Sequence, residues 1–324
     1  MSGNICPAFH NQGSPADEPG DGTRAGDRER TLDDPAADSP ALVAATAPVW
    51  TRVSVAQGVP SVFVTKVLAS TKPDFIWMDV EHGMFDRLTL FDAIHAVQHH
   101  SEGKSLVLVR VSKHDETALS TALDAGAAGI IIPHCESAQE VKDKIKEAFH
   151  PPLGERSFSP WTFTPGISDA SLYPNDAFNI QTSNRHICII LQVESVKGIE
   201  NTEEIAAVEG VSGLMFGPGD FSIDAGLELK LGGEPHPTFM TAMQRFVAAG
   251  KKYGKPLAGA AQVPQMIPMM IQQGYGAIAV VFDYWALANM VHSGLKEAKG
   301  ILDNAAASES KTENGDAANG SAKA

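Results

Sequence analysis

Short, nearly unbroken apolar runs alternate along this chain with longer stretches in which apolar residues recur every three or four positions. The runs fall at 48–54 (PVWTRVS), 74–79 (DFIWMD), 105–110 (SLVLVR), 129–133 (GIIIP), 187–193 (ICIILQV), 211–216 (VSGLMF), 256–260 (PLAGA) and 276–281 (GAIAVV). Runs this short and apolar on both parities predict strands with both faces buried, as in a parallel sheet. The helical periodicity predicts helices over 61–71, 88–99, 115–125, 137–148, 196–207, 237–253, 264–273 and 284–301. Eight strand–helix pairs sharing one core, in the roughly 250 residues such folds use, predict a closed (β/α)8 barrel of the TIM type.

The alternation stops at both ends and once in the middle. Residues 1–44 are rich in Gly, Pro, Asp and Ala, and residues 303–324 in Ala, Ser and Asn. Neither stretch can bury enough apolar surface to offset its ordering entropy, so both are expected to be disordered tails. The barrel then spans 45–302. Within it, 150–185 carries Pro, Ser, aromatic and Asp residues with no clear element, and a loop that long in a compact domain is usually a lid or an interface segment.

Charge and cysteines narrow the function. The net charge is −14, half of it in the two tails, and no block of Lys and Arg exists. That excludes nucleic acid and anionic membranes as expected partners, because both need a concentrated basic surface. Three cysteines, Cys6, Cys135 and Cys188, make no disulfide framework and fit a reducing compartment. With no membrane-length apolar run, no signal-peptide pattern and more acids than arginines at the N-terminus, the expected location is the cytoplasm.

In a (β/α)8 barrel the strands' C-terminal ends carry the chemistry, so a charged residue closing an apolar run is the informative signal. Four runs close this way: at Asp79-Val80-Glu81-His82-Gly83, at Arg110, at Gln192-Val193-Glu194, and at Gly217-Pro218-Gly219-Asp220. Glu194 and Asp220 close adjacent strands, which lie about 4.8 Å apart. They can therefore converge on one hard cation such as Mg2+ or Mn2+; alternatively, each caps a helix or pairs with an arginine. The Gly217-Pro218-Gly219 turn offers backbone amides to a substrate oxygen, though a tight structural turn reads the same way. Arg110 suits a carboxylate or a developing enolate, or else it pairs with Asp79. His82 is a proton-exchange candidate between acidic neighbours. His134, after the fourth run, is expected to line the site. No run ends in lysine, which argues against an imine-forming aldolase.

The stretches 74–83 (DFIWMDVEHG), 192–195 (QVES) and 216–222 (FGPGDFS) resemble the HpcH/HpaI aldolase/citrate lyase family, the class II pyruvate aldolases that act on 4-hydroxy-2-oxo acids. The resemblance runs from about residue 48 to 300, with 124–127 (DAGA) and 151–156 (PPLGER) in the expected order. It implies a divalent cation (Mg2+, Mn2+ or Co2+) on Glu194 and Asp220, with Gln192 and Arg156 at the substrate and Arg110 stabilising the enolate. It also implies His82 and Asp124 as a proton-transfer pair, Asp79 in the same motif, and a homo-oligomer, commonly a hexamer. The implied reaction is reversible cleavage of a 4-hydroxy-2-oxo acid to pyruvate and an aldehyde. A CoA-ester lyase of the citryl or malyl type and a non-catalytic metabolite-binding barrel are the alternatives. The chain departs from the family's usual Gly-x-Arg-Gly followed by small residues at 154–161 (GERSFSPW), and the stretch after Asp220 leads into an unusual 227–233 (LELKLGG); these segments are expected to shape the aldehyde half of the pocket.

Overall fold

The computed structural model describes residues 52–162, 179–229 and 234–320. The elements run β1 (Arg52–Gln57), α1 (Val62–Ser70), β2 (Phe75–Asp79), α2 (Arg87–His100), β3 (Leu106–Arg110), α3 (Glu116–Asp124), β4 (Gly129–Ile132), α4 (Ala138–Ala148) and α5 (Ile180–His186). The second half continues with β5 (Cys188–Val193), α6 (Val196–Glu200), α7 (Thr202–Ala206), β6 (Gly213–Phe216), α8 (Pro218–Asp224), α9 (Pro237–Lys252), β7 (Leu257–Ala260), α10 (Ile267–Gln273), β8 (Tyr275–Phe282) and α11 (Asp283–Gly320). All neighbouring strands pair in parallel, and β8 pairs back to β1, so the barrel is closed.

The apolar runs divide by parity into two cores. Phe75, Trp77, Leu108, Ile131, Ile190 and Met215 fill the barrel, with Ala258, Ala277 and Ala279 from β7 and β8 opposite them and Phe282 packed against the cluster. The alternate residues, such as Ile76, Met78, Val109, Ile130, Ile189 and Leu191, pack outward beneath the helices. Each fully buried aliphatic side chain of this kind contributes about 1.5–3 kcal/mol. Helix starts are capped as their sequences direct: Ser61, Asp86, Asp115 and Ser137 each accept a backbone N–H of the first turn.

Several boundaries differ from the sequence expectation. The first strand takes RVSVAQ, several residues beyond the predicted 48–54, because Val53 and Val55 continue the apolar run; residues 45–51 of the predicted barrel and the tail 1–44 lie outside the described residues. Within 150–185 the described part includes a helix, α5, started by Asn179, whose side chain accepts the Thr182 N–H. Its polar sequence, IQTSNRH, carries no helical apolar stripe to reveal it. The predicted helix 196–207 is split at Asn201.

The last helix runs past residue 302 to Gly320, where the sequence expectation is a disordered tail over 303–324; residues 321–324 lie outside the described residues. Every residue of α11 from 284 to 305 is exposed, including Trp285, Leu287, Met290, Val291, Leu295, Ile301 and Leu302. Val53 of β1 and Val281 of β8 are exposed too, so the helical wall is open between the first and last strands.

Candidate active site

Side chains alternate across a strand, so a residue two places beyond a barrel-filling one also points inward. Trp77 thus brings Asp79 into the mouth, Leu108 brings Arg110, and Ile190 brings Gln192. Asp79 stands opposite Arg110 in the β2–β3 register. Arg110 Nε donates to Asp79 Oδ1 at 2.9 Å and Nη2 to Oδ2 at 2.6 Å, so the pairing read as Arg110's structural alternative is present. Glu81 Oε2 lies 3.4 Å from the same Nε, and the guanidinium carbon sits 5.2 Å from the Trp77 ring centre. Burial works against the Arg110 charge, but Asp79, Glu81 and Glu194 outweigh it and hold the guanidinium more firmly protonated than usual. Nη1 makes only a long 3.5 Å contact with Gln192 Oε1. That edge of Arg110 therefore retains N–H donors for an incoming oxygen.

Glu194 follows β5 and is 2% exposed. Its Oε1 accepts the His134 backbone N–H at 2.9 Å, and its Oε2 accepts from Gln192 Nε2. Burial raises its carboxyl above the ordinary value, the two donors pull it down, and Asp220 pushes it up again. Asp220 lies in the first turn of α8. Among the described residues neither carboxylate has a lysine or arginine in ion-pair contact, and no cage of three or more His, Cys, Asp or Glu side chains forms. Two carboxylates that repel one another, each oxygen keeping a lone pair, fit a hard divalent cation whose remaining positions go to water and substrate.

Gly217 makes this approach possible. A β-carbon there would stand 2.1 Å from Glu194 Oε2 and 2.6 Å from the Glu194 β-carbon. Its N–H is already given to Val193 O, and Pro218 has none, so the backbone-donor role expected of this turn narrows to the Gly219 N–H.

His82 is two-thirds exposed at the mouth, with Nε2 3.8 Å from Glu81 Oε2. Glu81 is mostly buried, and desolvation raises its carboxyl while Arg110 and then the two histidines lower it. The structure does not bring Asp124 to His82. Asp124 ends α3, which runs down from the mouth, so it lies by the N-terminal ends of the strands. There it binds Arg156 Nη2. Arg156 is buried, with Nε and Nη1 unpartnered among the described residues. The 154–161 segment sits at the same end, since Glu155 N–H bonds the last turn of α4 and the His150 N–H bonds Asn184 of α5. It therefore does not wall the mouth of the barrel, contrary to the sequence expectation; linear order reveals that a residue follows a helix, not which end of the barrel it reaches.

Sequence reasoning also missed Asp283 and Tyr284. Asp283 is buried and accepts the Gly58 and Val59 N–H groups, both at 3.0 Å, pinning the loop after β1. The Tyr284 ring lies 2.8 Å from where a Gly58 β-carbon would be. Burial raises the Tyr284 phenol, and Asp79 and Asp283 raise it further. The rule of a charged residue closing an apolar run marks Asp283 as well as the other four.

The family model described as HpcH/HpaI aldolase/citrate lyase matches residues 61–290. The chain belongs to that family. Family membership makes it an enzyme of the aldolase class. It is 29% identical over 227 residues, 70% of this chain and 84% of the relative, to a 2-dehydro-3,6-dideoxy-6-sulfogluconate aldolase from Pseudomonas putida. It is 30% identical over 220 residues, 68% of this chain and 81% of the relative, to a 5-keto-4-deoxy-D-glucarate aldolase from Klebsiella pneumoniae. Among solved structures, macrophomate synthase superposes with a TM-score of 0.74 at 62% identity, covering 77% of this chain and 84% of that one.

Proposed function

We propose that this chain is a divalent-cation-dependent carbon–carbon lyase that reversibly cleaves a 4-hydroxy-2-oxo acid to pyruvate and an aldehyde. One observation carries the reading: buried Glu194 and neighbouring Asp220 oppose each other's charge, neither has a lysine or arginine in ion-pair contact among the described residues, and Arg110 Nη1 reaches Gln192 on the strand that Glu194 follows. Glu194 and Asp220 would hold Mg2+, Mn2+ or Co2+, which when bound supplies Lewis-acid charge to the 2-oxo and carboxylate oxygens of the substrate.

The chain's own residues do the rest. Asp79 fixes the Arg110 fork so that Nη1 faces the mouth, where it stabilises negative charge on the 2-oxo oxygen as the C3–C4 bond breaks. Gln192 orients Glu194. The His82 imidazole beside Glu81 takes the C4 hydroxyl proton, the bond's electron pair passes to the pyruvate half, and the aldehyde leaves. The CoA-ester alternative needs basic residues at the mouth for phosphates, and Lys113 and Lys197 are already paired with Glu140 and Glu136.

The same reading takes the enzyme to be a cytoplasmic homo-oligomer. Support comes from the apolar residues left exposed along α11 and from the burial of Cys135 and Cys188; among the described residues no helix is long and apolar enough to cross a membrane. The resemblance pairs His82 with Asp124; the fold holds them at opposite ends of one barrel, so in this reading the pair would be completed between two copies.

The 62% identity to macrophomate synthase favours a second reading, in which the same site makes the product after which that enzyme is named. The test runs both. Lactate-dehydrogenase-coupled release of pyruvate from a panel of 4-hydroxy-2-oxo acids should be abolished by EDTA and restored by Mn2+. Undiminished turnover in metal-free protein would sink the mechanism. Product formation only from macrophomate synthase's substrates, assayed alongside that enzyme, would select the second reading.

A further inference from the structure

His134 is one of three non-glycine residues in the described chain with a left-handed backbone, at φ 52°. The other two, Lys72 and Glu102, lie in turns at helix ends, where such a conformation closes the chain. His134 instead stands at the mouth, immediately after Ile132 and Pro133 at the end of β4. The turn holding it is pinned through Cys135. Cys135 N–H bonds Gln192 O at 3.0 Å, and Cys135 Sγ lies 3.3 Å from Ile132 O. Left-handed backbone at a non-glycine residue persists where the surroundings over-determine it, and such places cluster at functional sites.

Here the left-handed turn aims two nitrogens of one residue at one oxygen. The backbone N–H of His134 reaches Glu194 Oε1 at 2.9 Å, and its Nδ1 lies 3.4 Å from the same atom. On the other side Gln192 donates to Oε2. Glu194 is thus gripped at both oxygens in a single orientation, while the imidazole remains half exposed, open to the mouth.

We propose that His134 is a positioning residue of the cation site, fixing the Glu194 carboxylate so that its remaining lone pairs face the position shared with Asp220. The inference rests on the reading of Glu194 and Asp220 as cation ligands. Groups that orient a ligand in this way typically govern metal affinity by about 10–100-fold.

The test is calorimetric titration of the full-length, metal-stripped protein with Mn2+, with melting temperature followed in parallel. H134A should weaken Mn2+ binding by about tenfold with little change in melting temperature in the absence of metal. H134N tolerates the left-handed backbone and restores a side-chain donor, so it should recover most of the loss. Wild-type affinity in H134A, in a protein where E194A abolishes binding, would overturn the role of His134 alone. Retained Mn2+ binding in E194A would overturn the ligand reading and this inference with it. Equal affinity losses in H134A and H134N, matched by falls in melting temperature, would make His134 a fold residue and overturn the proposal.

Discussion

Arg110→Ala is expected to lower kcat for 2-oxo acid cleavage by about 10²–10³, the usual cost of removing one preorganised donor to a developing oxyanion. The loss should fall mainly on kcat, because Nη1 is the edge that meets charge arising in the reaction, while ground-state binding rests on the carboxylate pair. R110K keeps a charge but not the fork that grips both oxygens of Asp79, so it should recover only part of the rate. Stability should drop as well. Arg110 and Asp79 are only 12% and 18% exposed, and removing one partner of a buried pair costs roughly 3–5 kcal/mol, with these partly wet groups at the lower end. The double variant R110A/D79A removes the stranded carboxylate, so it should regain melting temperature and no activity. Steady-state kinetics and thermal melts of the three variants together decide this. An R110A enzyme with near-normal kcat would show Arg110 to be a structural partner of Asp79 and nothing more.

Glu194→Gln is expected to abolish cation binding yet raise the melting temperature of the metal-free protein at neutral pH. The Glu194 carboxyl is held above its ordinary value chiefly by burial, so its ionised form is less favourable in the folded chain than in the unfolded one. As pH falls through that raised value the folded group takes up its proton and the penalty disappears. The gap in melting temperature between E194Q and wild type should therefore be widest at neutral pH and close as the solution is acidified. Gln192 can turn its amide to accept from the new side chain, so no donor needs to be stranded. Saturating Mn2+ should reverse the order, stabilising wild type by mass action and leaving E194Q unmoved. Melts by differential scanning calorimetry across pH, with and without Mn2+, test it. A wild type more stable than E194Q in metal-free neutral buffer would contradict the electrostatic account of the site.

What was legible in the sequence follows from what a barrel does to periodicity. Strands buried on both faces read as unbroken apolar runs, and β2 to β8 fall within about two residues of those runs. The inward alternation that puts Trp77 in the barrel and Asp79 at its mouth is also written in the sequence, as are the ends of β3 and β5. Three things were not legible. α5 is polar after Ile180, so no apolar stripe announces it. The placement of Asp124 and Arg156 at the far end follows from the direction of α3 and α4, and a motif in correct order along the chain says nothing about which end of the barrel it reaches. The grip of His134 on Glu194 depends on a left-handed turn, set by the Cys135 bonds to Gln192 of β5 and Ile132 of β4 rather than by any residue preference visible in the run 129–133.

The central claim is that Glu194 and Asp220 together hold one divalent cation on which a 2-oxo acid binds. Electron paramagnetic resonance of Mn2+ titrated into wild type and D220N, before and after addition of pyruvate, tests it most directly. One Mn2+ per chain in wild type, a spectrum changed by pyruvate, and loss of that site in D220N is the expected result. A D220N protein that binds Mn2+ with unaltered affinity, or a wild-type spectrum indifferent to pyruvate, would contradict it.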